Sequence, residues 1–456
     1  MATDAVQTVD PPSTDTAVDS PRRQLLTRVA FRFTFSYCCL FFLTEPRVTL
    51  APLGVIGKHL PPEAWTWQQH TVQPVVDWTA THVFGTEATL REPIQSGDQK
   101  FFWVLTFCLL VAAVLATVLW SAVDRRRPEY VTVHAWLRLV VRFCLAGQLF
   151  AFGFAKVLPL QMSLPLTRLV EPFGDFSPMN VLWTQVGLSQ PYEILLGCAE
   201  VCAGFLLIFP RTTTLGALLA LVEMTQVFIL NLAYDVPLKI LTFHLLLLAA
   251  VLLAPDASRL ARFFVSDREV GPSTQPPLAR GRRASRIALC AQIVFGLWLA
   301  GSQVHQDWKL WNQIGDPGPK PPLYGLWDVT AFTRDGKDLP PRIDDADRWR
   351  RLIVDTTHAY QLNTVSSQRM DGSIVDYVAA VDPRQAVITL AKADDPTWSA
   401  TLAFRRPGPG RLSLSGQVDG HQVRMHLKAA NADDFPVLRP GFHWVQEEPY
   451  QPRTAR

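Results

Sequence analysis

Arg32, Arg142, Glu200 and Glu223 each stand inside a run of Leu, Val, Phe and Ala long and apolar enough to be a transmembrane helix. A charge at the bilayer centre costs at least ~2.5–3.5 kcal/mol, so such groups face a bundle interior and have partners. Glu193, Gly197, Glu200 and Gly204 recur at helical spacing and form one stripe. Glycines let a neighbouring backbone approach, and the carboxylates then point at that neighbour. Gly216, Glu223, Gln226 and Leu230 repeat the arrangement in the next apolar run. At ~1.5 Å per residue, Glu200 falls near the midplane. Two chemistries fit this pattern. One is a proton-carrying or ligand-binding acid pair in the bundle core. The other is polar glue, each acid neutralised by an arginine or by its own proton.

The basic complement comes from the preceding run, where Arg142, Leu149, Gly153 and Lys156 share a face with Arg138 one turn earlier. Counted from Trp136, Arg142 lies about 10 Å deep, and Arg32 lies at similar depth in the first run. Arginine keeps its proton there and pairs bidentately with carboxylates. The expectation is therefore one buried network made of Arg32, Arg142, Glu200 and Glu223. Arg138 and Lys156, near opposite ends of their span, are expected to snorkel to the interfaces.

The turn Asn231-Leu-Ala-Tyr-Asp-Val-Pro-Leu-Lys239 joins two further apolar runs. Asp235 and Lys239 there fit a surface salt bridge or a turn cap. Alternatively Glu193, Asn231, Asp235, Lys239 and His244 form an externally open pocket, with His244 the one group that titrates near neutrality. A lone histidine on an apolar helix also fits a hydrogen-bonded core position.

These residues need elements to hold them. Of the 456 residues, 48% are hydrophobic and only 18% charged, which is apolar for a soluble chain. Phe101–Val123 carries no charge at all and spans a core of about 30 Å. Further spans are read at Leu25–Leu43, Trp136–Leu160, Tyr192–Phe209, Thr213–Leu232, Leu238–Leu253 and Ile287–Val304. Arginines cluster before the first span (Arg22, Arg23, Arg28), after the second (Arg125, Arg126, Arg127) and after the sixth (Arg259, Arg262, Arg268, Arg280, Arg282, Arg283). The positive-inside bias then puts the N-terminus in the cytoplasm of a plasma (inner) membrane protein and everything after Val304 outside. The net charge of +3, distributed in this way, is no nucleic-acid signal.

All seven cysteines lie within the spans, so the external parts carry no disulfide framework. Cys198 and Cys202 share a face roughly opposite Glu200. No CxxC pair, paired histidine ligands, haem-attachment motif, Walker loop, GxGxxG or GxSxG occurs. No metal site is expected and no cofactor is evident.

The organisation read from the chain is a disordered cytoplasmic tail over 1–21, a transmembrane helical domain over 22–304, a Pro/Gly linker over 305–323 and an extracytoplasmic β domain over 324–456. Between the first two spans, Trp65, Trp67, Trp78 and their Val neighbours predict a helix lying at the interface, with Pro74 interrupting any single regular helix. In the last part the periodicity changes to strand alternation at Ala386–Lys392, Trp398–Phe404, Leu412–Gly416 and Val423–Lys428. Earlier strands are read at Leu326–Phe332, Arg351–Asp355 and Ile374–Ala380. A hairpin is read around Gly416–Gly420. Roughly eight short strands imply a closed antiparallel barrel or sandwich. A final strand over Phe442–Gln446 with Trp444 turned inward is expected, or else a pocket using His443 and Glu447.

The third to sixth spans resemble the DoxX-like family of small bacterial four-helix membrane proteins. The resemblance covers about residues 135–255. It rests on Arg142-Phe-Cys-Leu-Ala146, Phe152-Gly-Phe-Ala-Lys156, Tyr192-Glu193, Gly197, Glu200, Gly204, Leu206–Arg211, Asn231–Lys239 and His244. The C-terminal part looks like a lipocalin-like barrel that ends in Arg439-Pro-Gly-Phe-His-Trp-Val-Gln-Glu447. Some members of the wider group are associated with quinol oxidase or thiosulfate–quinone oxidoreductase complexes, which makes quinone the cofactor the resemblance implies.

Two functions follow. The first is a non-enzymatic membrane scaffold or binding component, with the bilayer, other membrane subunits or a small apolar ligand as partners. The second is a quinone-linked redox subunit whose intramembrane carboxylates handle protons.

Overall fold

In the computed structural model the described residues are 21–125, 130–266, 269–271, 278–279, 281–345, 347–356, 365–431, 434–438 and 443–448. The expected tail lies outside them except for Pro21, as do Arg126, Arg127, Arg268, Arg280 and residues 439–442 of the closing segment.

Seven helices are long and apolar enough to cross a bilayer. They are α1 (Pro21–Thr44), α4 (Lys100–Val123), α5 (Val131–Val157), α7 (Gln190–Ile208), α8 (Thr213–Ala233), α9 (Lys239–Leu253) and α11 (Arg282–Ile314). Shorter helices intervene: α2 (Pro46–Thr49), α3 (Trp67–Phe84), α6 (Pro178–Gly187) and α10 (Ala257–Val265). The outer face of α4 leaves Leu110, Val114, Val118 and Leu119 exposed. Such a face is stable against hydrocarbon and not against water. The bundle core is built from Leu145, Leu149 and Phe150 of α5, Leu207 of α7, Met224 of α8, and Leu245 and Leu252 of α9. These seven spans make the chain a multi-pass membrane protein.

Two boundaries differ from expectation. α3 runs continuously through Pro74, because Val76 and Ala80 are buried against Phe101, Val104 and Leu105 of α4. That packing offsets the hydrogen bond the proline removes. α11 continues ten residues past Val304, so half of the expected linker is helix. At ~1.5 Å per residue this helix is about 50 Å long, well beyond a 30 Å core.

Eight strands close a barrel: β1 (Gly325–Arg334), β3 (Trp349–Val354), β4 (Val365–Arg369), β5 (Ile374–Asp382), β6 (Val387–Ala391), β7 (Ser399–Gly408), β8 (Arg411–Val418) and β9 (His421–Ala429). Every pairing is antiparallel between neighbours, and β1 pairs with β9 to complete the ring. A two-residue β2 (Lys337–Asp338) hangs on the end of β1. Asp335-Gly336 and Asp419-Gly420 make two-residue hairpin turns, all four residues having positive φ. This is the backbone that matches strand twist in a two-residue turn. The Asp335 carboxylate accepts from His421 and from the Gln422 backbone, which lowers its pKa below the usual carboxylate value.

The barrel interior is filled. Trp327, Trp349, Leu352, Tyr377, Leu390, Leu402, Leu414 and Met425 pack into one core. Trp349, Tyr377 and Trp398 stack in series at 5.9 and 4.9 Å, beside a cavity of only about 70 Å³. Trp444 is the correction here. It lies outside any strand and is 91% exposed, because β1 already closes the ring against β9 and no edge remains for a further strand.

Barrel and bundle meet at one built contact, made by the segment after α5. The Leu166 N–H donates to Asp355 Oδ2 at 2.7 Å, and Gln368 Nε2 of β4 donates to the Val170 carbonyl at 2.6 Å. Val170, Leu326 and Ile353 bury one another around these bonds, flanked by Leu166, Leu169 and Ile374.

Candidate functional site

α5 and α7 approach as closely as backbones allow. A Cβ on Gly197 would meet the Gly153 carbonyl oxygen at 2.5 Å, and one on Gly153 would meet the Gly197 oxygen at 3.0 Å. Phe150 fills the notch left by Gly204, and Gly216 admits Leu206 between α7 and α8. Small residues thus set the register of three helices, and the register decides which charges meet.

One helical turn beyond each contacting glycine stands a charged residue, Lys156 on α5 and Glu200 on α7. Lys156 Nζ donates to both carboxylate oxygens of Glu200, at 2.9 and 2.8 Å. Both residues are buried, 5% and 4% exposed. Lys156 also lies over the Phe152 ring and 3.4 Å from the Phe152 carbonyl. Glu223 on α8 lies near enough to this pair for Glu200 and Lys156 to act on it electrostatically. Both of its carboxylate oxygens are buried and neither has a hydrogen-bond partner. Glu193, 1% exposed in the first turn of α7, accepts the Met162 backbone N–H at 3.0 Å. That helix terminus favours a negative charge.

The expected four-membered network does not assemble. Arg32 is 3% exposed, and it donates to Tyr130 Oη, Ser121 Oγ and the Asp124 carbonyl at the C-terminal end of α4. Arg142 donates to the Leu207 and Ile208 carbonyls at 3.0 and 2.7 Å and to Gln292 of α11 at 3.0 Å. Both arginines therefore bind the open carbonyls of helix ends, where the macrodipole and the unsatisfied acceptors reward a cation. Glu200 takes Lys156 instead, which is buried and does not snorkel.

The alternative external pocket is also dispersed. Asp235 is exposed and pairs with Lys239 at 2.9 Å, while Lys239 also faces Asp98 at 3.6 Å. Asn231 is buried, its amide 3.3 Å from Thr242 Oγ1. His244 is 3% exposed and sits between α9 and α1. Its Nδ1 faces the Ile240 carbonyl at 2.7 Å, so that nitrogen carries the hydrogen, and Nε2 accepts from the Tyr37 hydroxyl at 2.7 Å. Phe41 stacks on the ring at 4.3 Å. These groups line neither of the two cavities described here.

A second feature had no sequence signal. An apolar cavity of about 560 Å³ opens between α5, α11 and the segment after α2. It is lined by Val48, Ala51, Pro52, Phe143, Ala291, Phe295 and neighbours, with Gln292 as its polar member. Gln292 is already engaged, accepting from Arg142 and donating to the Ala288 carbonyl. Its walls come from three segments distant in the chain.

Among known proteins, the chain is 27% identical over 132 residues to "Uncharacterized protein YwoB" of Bacillus subtilis (strain 168). That match takes in 27% of this chain and 79% of the relative. No family model matches the chain, and no solved structure does.

Proposed function

We propose that the protein is a DoxX-like inner-membrane scaffold, with a cytoplasmic N-terminus and an extracytoplasmic barrel that binds an acidic protein partner. The observation that carries this reading is the packed barrel. A cavity of about 70 Å³ is far below the ~300–1,000 Å³ of small-molecule sites, so the barrel offers its surface and not its interior.

One side of that surface is occupied, since β3 and β4 lie against the segment after α5. The opposite strands make no such contact among the described residues and are strongly basic. β7, β8 and β9 contain no Asp or Glu, and Arg405, Arg406, Arg411, Arg424 and Lys428 are all exposed on them. Such a face steers and orients an acidic partner. The arginine clusters beside alternate spans support the orientation, and the quoted motifs support the family.

The test is isolation of the full chain from its native membrane in mild detergent, with crosslinks mapped by mass spectrometry. A stoichiometric partner crosslinked to β7–β9 is expected, lost in high salt and lost when Arg405, Arg411, Arg424 and Lys428 are changed to Glu. A stoichiometric quinone or redox chromophore with no partner at the barrel would refute the proposal. A reporter fused after Arg456 should be active only outside the cytoplasm.

A further inference from the structure

We propose that Glu223 is a proton-binding site in the bundle core, holding one proton at neutral pH beside the Lys156–Glu200 ion pair. Three observations meet there. First, the base is committed: Lys156 Nζ is bonded to both oxygens of Glu200, leaving Glu223 without a cation of its own. Second, both Glu223 oxygens are buried and accept nothing. A bare carboxylate in that position would forfeit its hydration with no compensating donor, a loss of several kcal/mol that a bound proton removes. Third, the charge count of the three groups is one base against two acids, so a single proton makes the cluster neutral.

Among the described residues the surroundings offer no other counter-charge. α5 contributes Lys156, and α7 contributes Glu200 together with Glu193, which accepts the Met162 N–H at the helix start. α9 contributes His244, which is locked as a neutral tautomer between Ile240 and Tyr37, and Lys239, which is tied to Asp98 and Asp235 at the helix end. On α8 itself the neighbouring polar group one turn on is Gln226, which is exposed. If the proton leaves, Glu223 can gain a partner only by competing with Glu200 for Lys156. Proton occupancy and the α7–α8 contact are then linked, and this holds whatever the barrel binds.

The test uses the purified full-length protein in detergent and dicyclohexylcarbodiimide, an apolar reagent that adds to carboxylic acids in their protonated form. Peptide mass spectrometry should find the adduct on Glu223 at neutral and acidic pH, declining at least tenfold as pH is raised. Glu200 should stay unlabelled. Glu223→Gln should abolish the adduct, while Glu223→Asp, which keeps the acid, should retain it. Infrared spectra supply the second readout: the carbonyl band of a protonated carboxylic acid should be present in the parent protein and absent in Glu223→Gln. Absence of that band from the parent protein would overturn the proposal even if the reagent fails to enter. So would labelling of Glu200 in place of Glu223. Protection by sodium or potassium at constant pH would assign the site to a metal cation and equally overturn it.

Discussion

Replacing Lys156 by Met should destabilise the bundle far more than replacing Glu200 by Gln, although the two form one ion pair. Lys156 Nζ lies 2.9 and 2.8 Å from the Glu200 oxygens, and Glu223 lies within their field. Removing one member of a buried pair costs ~3–5 kcal/mol, because the other is left as an uncompensated charge. Lys156→Met leaves the Glu200 carboxylate in an apolar core with no base, so the full ~3–5 kcal/mol is expected. Glu200→Gln leaves an amide oxygen that still accepts from Lys156, with Glu223 close enough to supply the charge. The loss should then be only ~1–2 kcal/mol, about that of one weakened hydrogen bond. The double variant should fall short of the sum of the singles by about 2 kcal/mol. Equilibrium unfolding in mixed micelles, followed by circular dichroism at fixed detergent composition, measures all three. Equal losses in the two single variants, or additivity within about 0.5 kcal/mol, would refute the reasoning.

Arg142→Gln combined with Glu200→Gln should be additive in the same assay within ~0.5 kcal/mol, since the two residues share no partner. Gly197→Ala should lower the melting temperature and separate α5 from α7, because its Cβ would lie 2.5 Å from the Gly153 oxygen. A cost of ~1–3 kcal/mol is expected, and a cysteine-crosslinking rate between these helices reports the separation. Gln368→Leu should leave the Val170 carbonyl without its donor at a cost of ~1–3 kcal/mol, seen as faster hydrogen exchange in residues 166–172 with the barrel core unchanged. The Asp335 carboxyl titrates below its usual ~3.9 because His421 and the Gln422 N–H hold its charged form. Its contribution to stability is therefore complete above about pH 4 and is lost as pH falls through the lowered value. Asp335→Asn should flatten the acid limb of the tryptophan-monitored unfolding profile and leave the neutral limb in place.

Much of the architecture was legible because its signals are local. Continuous apolar runs such as Phe101–Val123 locate spans, alternation such as Leu412-Ser-Leu-Ser locates barrel strands, and Asp419-Gly420 marks a turn without reference to anything distant. β4 escaped notice for the opposite reason. Val365-Ser-Ser-Gln-Arg369 does not alternate, and its outward-facing Gln368 is buried against the segment after α5. α3 likewise needed its packing partner before Pro74 could be read as helical.

The same division holds for the charged core. Helical spacing alone put Glu193, Glu200 and the glycines on one stripe, and required that buried charges find partners. It could not say which base each acid would meet, since that depends on the vertical register between helices far apart in the chain. Contact of Gly153 with Gly197 sets that register, brings the Lys156 side chain within reach of Glu200, and leaves Arg142 level with the last carbonyls of α7. Only the assembled bundle could reveal that Glu223 is the acid left over.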